Sequence, residues 1–129
     1  MRTLPGEGKT VLLVEDEFLL RQTMQEALEL DGYAVWTAQN GREGLDVLEQ
    51  RPSPSLILVD LLMPVMGGRA FLQHVAVNQL TARIPVVVVS CIAEHGAVPG
   101  VLCAVGKPPD LDQLLRLVGR YSAPAELAD

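Results

Sequence analysis

The sequence has few cysteines and no long apolar run, and each shortage excludes a class of protein. Cys91 and Cys103 are the two cysteines in 129 residues, and their number and spacing suit neither a zinc site nor a disulfide framework. No apolar stretch approaches the roughly 20 residues of a membrane span. The opening MRTLPGEGK lacks the apolar core of a secretory signal. We therefore expect a cytoplasmic protein with reduced cysteines and no membrane partner.

Positive charge is also in short supply. Ten Lys and Arg face sixteen Asp and Glu, which gives a formal net charge of -6. Phosphate backbones attract basic faces, so direct DNA binding is disfavoured. The hydrophobic share is 49% and the charged share 20%, which is typical of one folded domain with a substantial core rather than a disordered chain.

Short apolar runs recur along the chain with helical patterns between them. Unbroken apolar runs of this length are typical of strands that are covered on both faces of a parallel sheet. The predicted strands are 10–15, 33–38, 55–60, 84–90 and 100–106. This β-α alternation predicts a doubly wound α/β fold, a five-stranded parallel sheet with helices on both faces.

The intervening helices carry start and stop signals. Asn40 and Asp110 are predicted N-caps, and Gly32 is a predicted C-terminal stop. A third helix is expected over 67–80, with Leu80 on its apolar face. Only ten residues, 91–100, join the fourth and fifth strands, and they contain two glycines and a proline. The helix expected there should be shortened or missing.

Polar residues end or directly follow four of the five predicted strands, at the sheet edge where open parallel sheets form their sites. They are Glu15 with Asp16, then Asp60, Ser90 and Lys107. Clustered carboxylates repel one another, and a hard cation such as Mg²⁺ relieves that repulsion. An aspartate can attack phosphorus, while a lysine and a serine hydroxyl can bind phosphoryl oxygens. These residues therefore suit Mg²⁺-dependent phosphoryl transfer.

The sequence resembles the receiver domains of two-component response regulators. The resemblance rests on LLVEDE (12–17), VDLLMPVMGG (59–68), VVVVS (86–90) and VGKP (105–108). It covers about residues 9–121, with 1–8 as a disordered lead-in and 122–129 as a tail or linker stub. It implies the strand order 2-1-3-4-5 of the chemotaxis-regulator-like, flavodoxin-like fold.

The resemblance also implies roles for individual residues. Asp60 would be the phosphoacceptor, and Ser90 and Lys107 would bind the phosphoryl group. Mg²⁺ would be held by Glu15, Asp16, Asp60 and the backbone carbonyl of Leu62. The Lys107–Pro108 bond would be cis.

The resemblance implies partners as well. The phosphoryl donor would be a histidine kinase or a histidine phosphotransfer protein. Output would be contact with a downstream protein that the sequence does not identify, and the chain would be a monomer or weak dimer. It would be either a stand-alone receiver or part of a larger protein.

Two departures from the family pattern concern the signal rather than the chemistry. Ser90 and Lys107 are 17 positions apart, about five fewer than usual. Ala104 stands where such domains commonly have an aromatic switch residue, so the usual coupling between serine and aromatic ring is absent.

The resemblance also bears on how fast the phosphoryl group is lost. Leu62 and Ile92 are apolar at positions that flank the path of the attacking water in this family, which predicts slow dephosphorylation.

Two other functions remain as alternatives. One is a non-phosphorylated pseudo-receiver that acts only through protein contact. The other is an aspartyl-phosphate phosphatase, which is disfavoured because Leu62 stands where such enzymes need a second acid.

Overall fold

The computed structural model describes residues 4–51, 53–89 and 101–124, and for 101–105 the backbone alone. Within these ranges, strands alternate with helices along the chain. The strands are β1 (Thr10–Val14), β2 (Ala34–Ala38), β3 (Leu56–Asp60), β4 (Val86–Val89) and β5 (Val101–Val105). The helices are α1 (Phe18–Leu30), α2 (Gly41–Gln50), α3 (Gly68–Val77) and α4 (Leu111–Tyr121).

The strands form one parallel sheet in the order β2-β1-β3-β4-β5. The predicted doubly wound fold and its strand order are confirmed. The expectation of a shortened or missing helix between β4 and β5 concerns residues 90–100, which lie outside the described residues. None of the helices described here is long and apolar enough to span a bilayer.

Side chains of the central strands alternate between two cores. Val11 and Leu13 of β1 point to the face covered by α1 and α4, whereas Leu12 and Val14 point to the face covered by α2 and α3. All four side chains are at most 1% exposed. Burial on both faces explains why these strands lack the polar alternation of a half-exposed sheet.

The two predicted N-caps and the predicted helix stop at Gly32 are confirmed. Asn40 Oδ1 accepts a hydrogen bond from the Glu43 N–H at 2.9 Å, and Asp110 Oδ1 accepts one from the Gln113 N–H at 3.1 Å. Each contact satisfies a donor that the first helical turn leaves free. Gly32 follows α1 with a φ of 96°, a conformation that suits glycine and ends the helix.

The third helix is shorter than predicted. α3 ends at Val77, and Asn78 adopts an extended conformation. The Asn78 side chain accepts a hydrogen bond from the Leu80 N–H at 2.8 Å, which turns the chain locally. Leu80 is therefore 70% exposed rather than on the apolar face of the helix, so its expected position was wrong.

Described residues near both termini lie at the sheet edge where the strands begin, and Lys9 Nζ donates to Ser122 Oγ at 3.3 Å. Residues 4–8, expected to be disordered, include a turn in which the Gly6 N–H donates to the Asp31 carbonyl at 2.8 Å. Gly6 is buried against the ring of Tyr33, where a Cβ would overlap the ring. The Ala123 N–H donates to the Ser55 carbonyl at 2.8 Å. Part of the predicted lead-in and part of the predicted tail are therefore packed on the domain.

The loop between β3 and α3 contains a strained residue. Val65 has a φ of 69°, in the left-handed region that β-branched side chains avoid. Its side chain is 83% exposed, so burial does not offset the strain. Asparagine tolerates this conformation better, because its short polar side chain can hydrogen-bond locally.

We expect Val65→Asn to raise the free energy of unfolding by about 1 kcal/mol, because it relieves this backbone strain. Urea denaturation would measure the change as a higher midpoint with an unchanged slope. Val65→Thr is the matched control, since it keeps the β-branch and should stay close to wild type. Equal stabilisation by both variants would assign the effect to removal of an exposed apolar group instead.

Candidate functional site

Three carboxylates meet at the edge of the sheet where β1 and β3 end. These strands are direct neighbours, with Val14 opposite Val59, so the residues that follow them lie side by side. Glu15, Asp16 and Asp60 each place a carboxylate oxygen within 4.8 Å of the others. Glu15 and Asp60 are buried at 1% and 3% exposure, and Asp16 is exposed. The strand pairing thus brings together the acids that the sequence predicted at this edge.

The loop after β3 orients Asp60. Its Oδ1 accepts a hydrogen bond from the Leu62 N–H at 3.3 Å. The first residue of α3, Gly68, donates its N–H to the Leu61 carbonyl at 2.8 Å. A Cβ on Gly68 would collide with the Asp60 carbonyl oxygen. The second glycine of the motif is therefore required by the close approach of α3 to the backbone that carries Asp60.

Lys107 joins the two buried carboxylates. Its Nζ lies 2.8 Å from Asp60 Oδ2 and 3.2 Å from Glu15 Oε2. Burial by itself would lower the pKa of this ammonium, but the hydrogen bond to Asp60 and the charges of Glu15 and Asp60 together raise it above its usual value. The lysine is therefore charged at neutral pH. The bond that follows it, Lys107–Pro108, is cis, as the resemblance implied.

The Glu15 carboxyl has a pKa raised from 4.5 to about 7. Burial is the main cause, because the charged form loses its hydration, and the charge of Asp60 adds to the shift. The Glu17 N–H and Lys107 oppose it through hydrogen bonds to Oε2 at 3.1 and 3.2 Å. Within the described part of the chain, Oε1 is buried without a hydrogen-bond partner. This oxygen therefore has an acceptor position to which no described donor is directed.

These residues fit Mg²⁺. The ligand set is made of carboxylate oxygens, which this hard cation prefers. Among the described residues the buried Oε1 of Glu15 has no hydrogen-bond donor. Lys107 pairs with Glu15 and Asp60, so one ammonium is shared by two of the acids. Exposed Asp16 opens the group to solvent, which suits a cation that retains several waters.

Comparison with known proteins agrees with this geometry. The family model described as "Response regulator receiver domain" matches residues 11–118, which is most of the chain. The chain belongs to the response regulator receiver domain family.

Several relatives of this receiver domain are known. It is 28% identical over 119 residues to sporulation initiation phosphotransferase F of Bacillus subtilis, an alignment that covers 88% of the chain and 94% of that protein. It is 33% identical over 88 residues to the phosphate regulon transcriptional regulatory protein PhoB of Pseudomonas aeruginosa, covering 68% of the chain but spanning only 38% of that protein. Among solved structures, it is similar to the crystal structure of the phosphorylated cyanobacterial phytochrome response regulator RcpA, with a sequence identity of 32% and a TM-score of 0.71. The match covers 87% of this chain and 89% of the RcpA chain.

Some predicted site features of the receiver domain stay predictions. Ser90 and Ile92 lie outside the described residues, as does Cys91. Cys103 and Ala104 lie in β5, and their side chains are outside the description. Leu62 contributes its N–H to Asp60, while a metal-binding role for its carbonyl is untested.

The receiver domain also has a site neighbour that sequence reasoning missed. Arg21 Nη1 donates to the Glu15 carbonyl at 2.8 Å and to the Asp16 carbonyl at 3.3 Å. Arg21 follows Asp16 by five positions in the first turns of a helix, where an arginine is ordinarily a solvated surface residue. The hydrophobic pattern of the helix therefore could not predict the contact of Arg21 with these two carbonyls.

We expect the metal-free protein to lose stability as the pH rises from about 5 to about 8, because folding raises the pKa of Glu15. Between pH 4.5 and about 7, the Glu15 carboxyl binds a proton in the folded state that it releases in the unfolded chain. Glu15→Gln should remove this loss and be more stable than wild type at pH about 8, by roughly 1–3 kcal/mol. Urea denaturation in EDTA across this pH range measures the difference.

The control for this prediction is Glu26→Gln, at an exposed position of α1. It should keep the wild-type dependence on pH. An unchanged pH slope in Glu15→Gln would show that Glu15 is ionised throughout the range and would contradict the prediction.

Proposed function

We propose that this receiver domain accepts a phosphoryl group on Asp60, with Mg²⁺, from a histidine kinase or a histidine phosphotransfer protein. The observation that carries the proposal is the position of Lys107, whose Nζ lies 2.8 Å from Asp60 Oδ2 and 3.2 Å from Glu15 Oε2. A carboxylate nucleophile thus has a cation beside it and two further acids within metal-binding distance. This combination suits attack on phosphorus and stabilisation of the transferred charge.

In the proposed reaction, an Asp60 carboxylate oxygen attacks phosphorus. A P–O bond forms to Asp60, and the P–N bond to the donor histidine breaks, with its electron pair remaining on the imidazole. Lys107 releases Asp60 and pairs with an oxygen of the phosphoryl group, since the carboxylate that it neutralised has become an uncharged acyl oxygen of the acyl phosphate. Bound Mg²⁺, held by Glu15, Asp16 and Asp60, would supply the further positive charge that this transfer requires.

Two relatives support this proposal through what their names state. One is a phosphotransferase of sporulation initiation, and RcpA was solved in a phosphorylated form. The geometry favours the same reading over a pseudo-receiver, because Lys107 is directed at Asp60 rather than away from it. Ser90 would complete the phosphoryl site, and the Leu62 carbonyl would complete the metal site.

The output of the domain would be contact with another protein in the cytoplasm. The acidic net charge of -6 disfavours direct DNA binding. We propose a monomer or weak dimer that does no catalysis beyond its own phosphoryl transfer and slow dephosphorylation.

We expect acetyl phosphate with Mg²⁺ to add one phosphoryl group to the wild-type protein, and Asp60→Asn to abolish the addition, because an amide is not a nucleophile at phosphorus. Intact mass spectrometry measures the modification. Asp46→Asn, at an exposed position of α2, is the matched control and should be phosphorylated like wild type. Phosphorylation of Asp60→Asn at the wild-type rate would place the acceptor elsewhere.

We also expect phospho-Asp60 to hydrolyse slowly in the isolated protein, with a lifetime of minutes or longer. The Leu62 side chain is 65% exposed beside the acceptor and has no group that could orient water. Leu62→Gln should speed hydrolysis about tenfold, because its amide can hold the attacking water. Decay of the phosphorylated mass after donor removal measures the rate.

Leu62→Met is the control for this prediction, because it keeps an apolar side chain of similar size. It should hydrolyse at the wild-type rate. A wild-type lifetime of seconds, or equal rates in the Gln and Met variants, would rule out Leu62 as the cause of slow hydrolysis.

A further inference from the structure

Two of the three clustered acids lie on one short loop, so the geometry of that loop decides the geometry of the site. Residues 15–17 join β1 to α1. The Glu15 N–H donates to the Ala38 carbonyl at 3.0 Å, which ties the start of the loop to β2. Glu17, the N-cap residue of α1, makes no side-chain capping hydrogen bond. The far end of the loop therefore lacks the usual anchor at a helix start.

Arg21 supplies a contact at that place. Its guanidinium lies one turn into α1 and reaches back along the loop, with Nη1 2.8 Å from the Glu15 carbonyl oxygen and 3.3 Å from that of Asp16. The helix holds Arg21 in turn, because the Arg21 N–H donates to the Glu17 carbonyl at 2.9 Å. One rigid, planar cation thus binds the backbone of two successive candidate metal ligands.

The aromatic ring of Phe18 restricts the guanidinium further. The Arg21 Cζ atom lies 5.6 Å from the centroid of this ring, within the range of a cation–π contact. Phe18 is 62% exposed, so its place at the start of α1 is not explained by the core. Stacking limits the directions that the Arg21 side chain can take, and this lowers the entropy that its two hydrogen bonds must overcome.

We propose that Arg21 is a positioning residue that sets the directions of the Glu15 and Asp16 carboxylates for Mg²⁺. The inference rests on the proposed function, because it assigns Mg²⁺ to these acids. Arg21 touches neither carboxylate in the described contacts; it acts through the two carbonyls. Groups that orient metal ligands in this way typically contribute tenfold or more to metal affinity.

The charge of Arg21 and its hydrogen bonds have opposite effects on the affinity for Mg²⁺. A guanidinium close to the acidic cluster repels an incoming cation, so its removal would strengthen Mg²⁺ binding if charge were its main effect. Removal would weaken Mg²⁺ binding if positioning were its main effect. The sign of the change in affinity therefore separates the two roles.

The test is a Mg²⁺ titration of the full chain, in which the NMR amide shifts of residues 15–17 report binding. Arg21→Met keeps the apolar stem and loses the guanidinium, and we expect its dissociation constant for Mg²⁺ to be about tenfold higher than that of wild type. Arg21→Lys keeps the charge and can reach one carbonyl, so its dissociation constant should fall between the two. Arg42→Met removes an exposed arginine from the first turn of α2 and should match wild type.

A second readout separates positioning from a merely structural role. The initial rate of phosphorylation by acetyl phosphate should be lower in Arg21→Met at limiting Mg²⁺ and should return to within about twofold of wild type at saturating Mg²⁺. A lower melting temperature with an unchanged Mg²⁺ dissociation constant would overturn the proposal, as would tighter Mg²⁺ binding. If Arg21→Met does not fold, Arg21→Lys decides, and wild-type affinity in that variant overturns the proposal.

The proposal and the proposed function fail in different ways. If the wild-type protein binds no Mg²⁺ at millimolar concentration, the proposed function fails and the inference falls with it. If wild type binds Mg²⁺ and Arg21→Met binds it equally well, only the role of Arg21 is wrong.

Discussion

Two carboxylates buried against one lysine are the constraint on which the rest of the site depends. Glu15 and Asp60 are almost inaccessible to water, and Lys107 Nζ lies between them at 3.2 and 2.8 Å. Burial of an unpaired charge costs several kcal/mol, and one ammonium cannot neutralise two acids. The imbalance appears in the raised pKa of Glu15 and in its Oε1, which has no hydrogen-bond partner in the part of the chain that the structure describes. This charge distribution suits a second cation, such as the Mg²⁺ of the proposed function.

The fold can hold this unbalanced charge because the sheet is packed on both faces. The strands that carry Glu15 and Asp60 lie at the centre of a parallel sheet whose side chains are buried in two separate cores. Close packing of these cores resists strand movements that would separate the two carboxylates. Gly68 adds to this, since its lack of a side chain lets α3 begin against the Asp60 carbonyl. Packing of the core thus holds the two acids close together despite their mutual repulsion.

Much of the architecture could be predicted from local sequence. Unbroken apolar runs predicted the strands, and Asn40 and Asp110 predicted helix starts through side-chain chemistry that needs no distant partner. The acids were predicted at one edge because parallel strands end together. Periodicity was wrong where a local contact competed with it, because the Asn78 side chain ended α3 early. The turn at residues 4–8 was missed for a different reason, since Gly6 bonds to Asp31, a partner distant in sequence.

The sequence by itself determined the strands, their covering helices and the chemical types at the sheet edge. Only the tertiary structure decided which groups touch. Lys107 meets Glu15 across 92 positions of sequence and Asp60 across 47, and Arg21 turns back onto two carbonyls rather than into solvent. Val65 takes a backbone conformation that its residue type disfavours. Such contacts depend on distances between elements that are set by packing of the whole core, whereas periodicity and capping depend on neighbours along the chain.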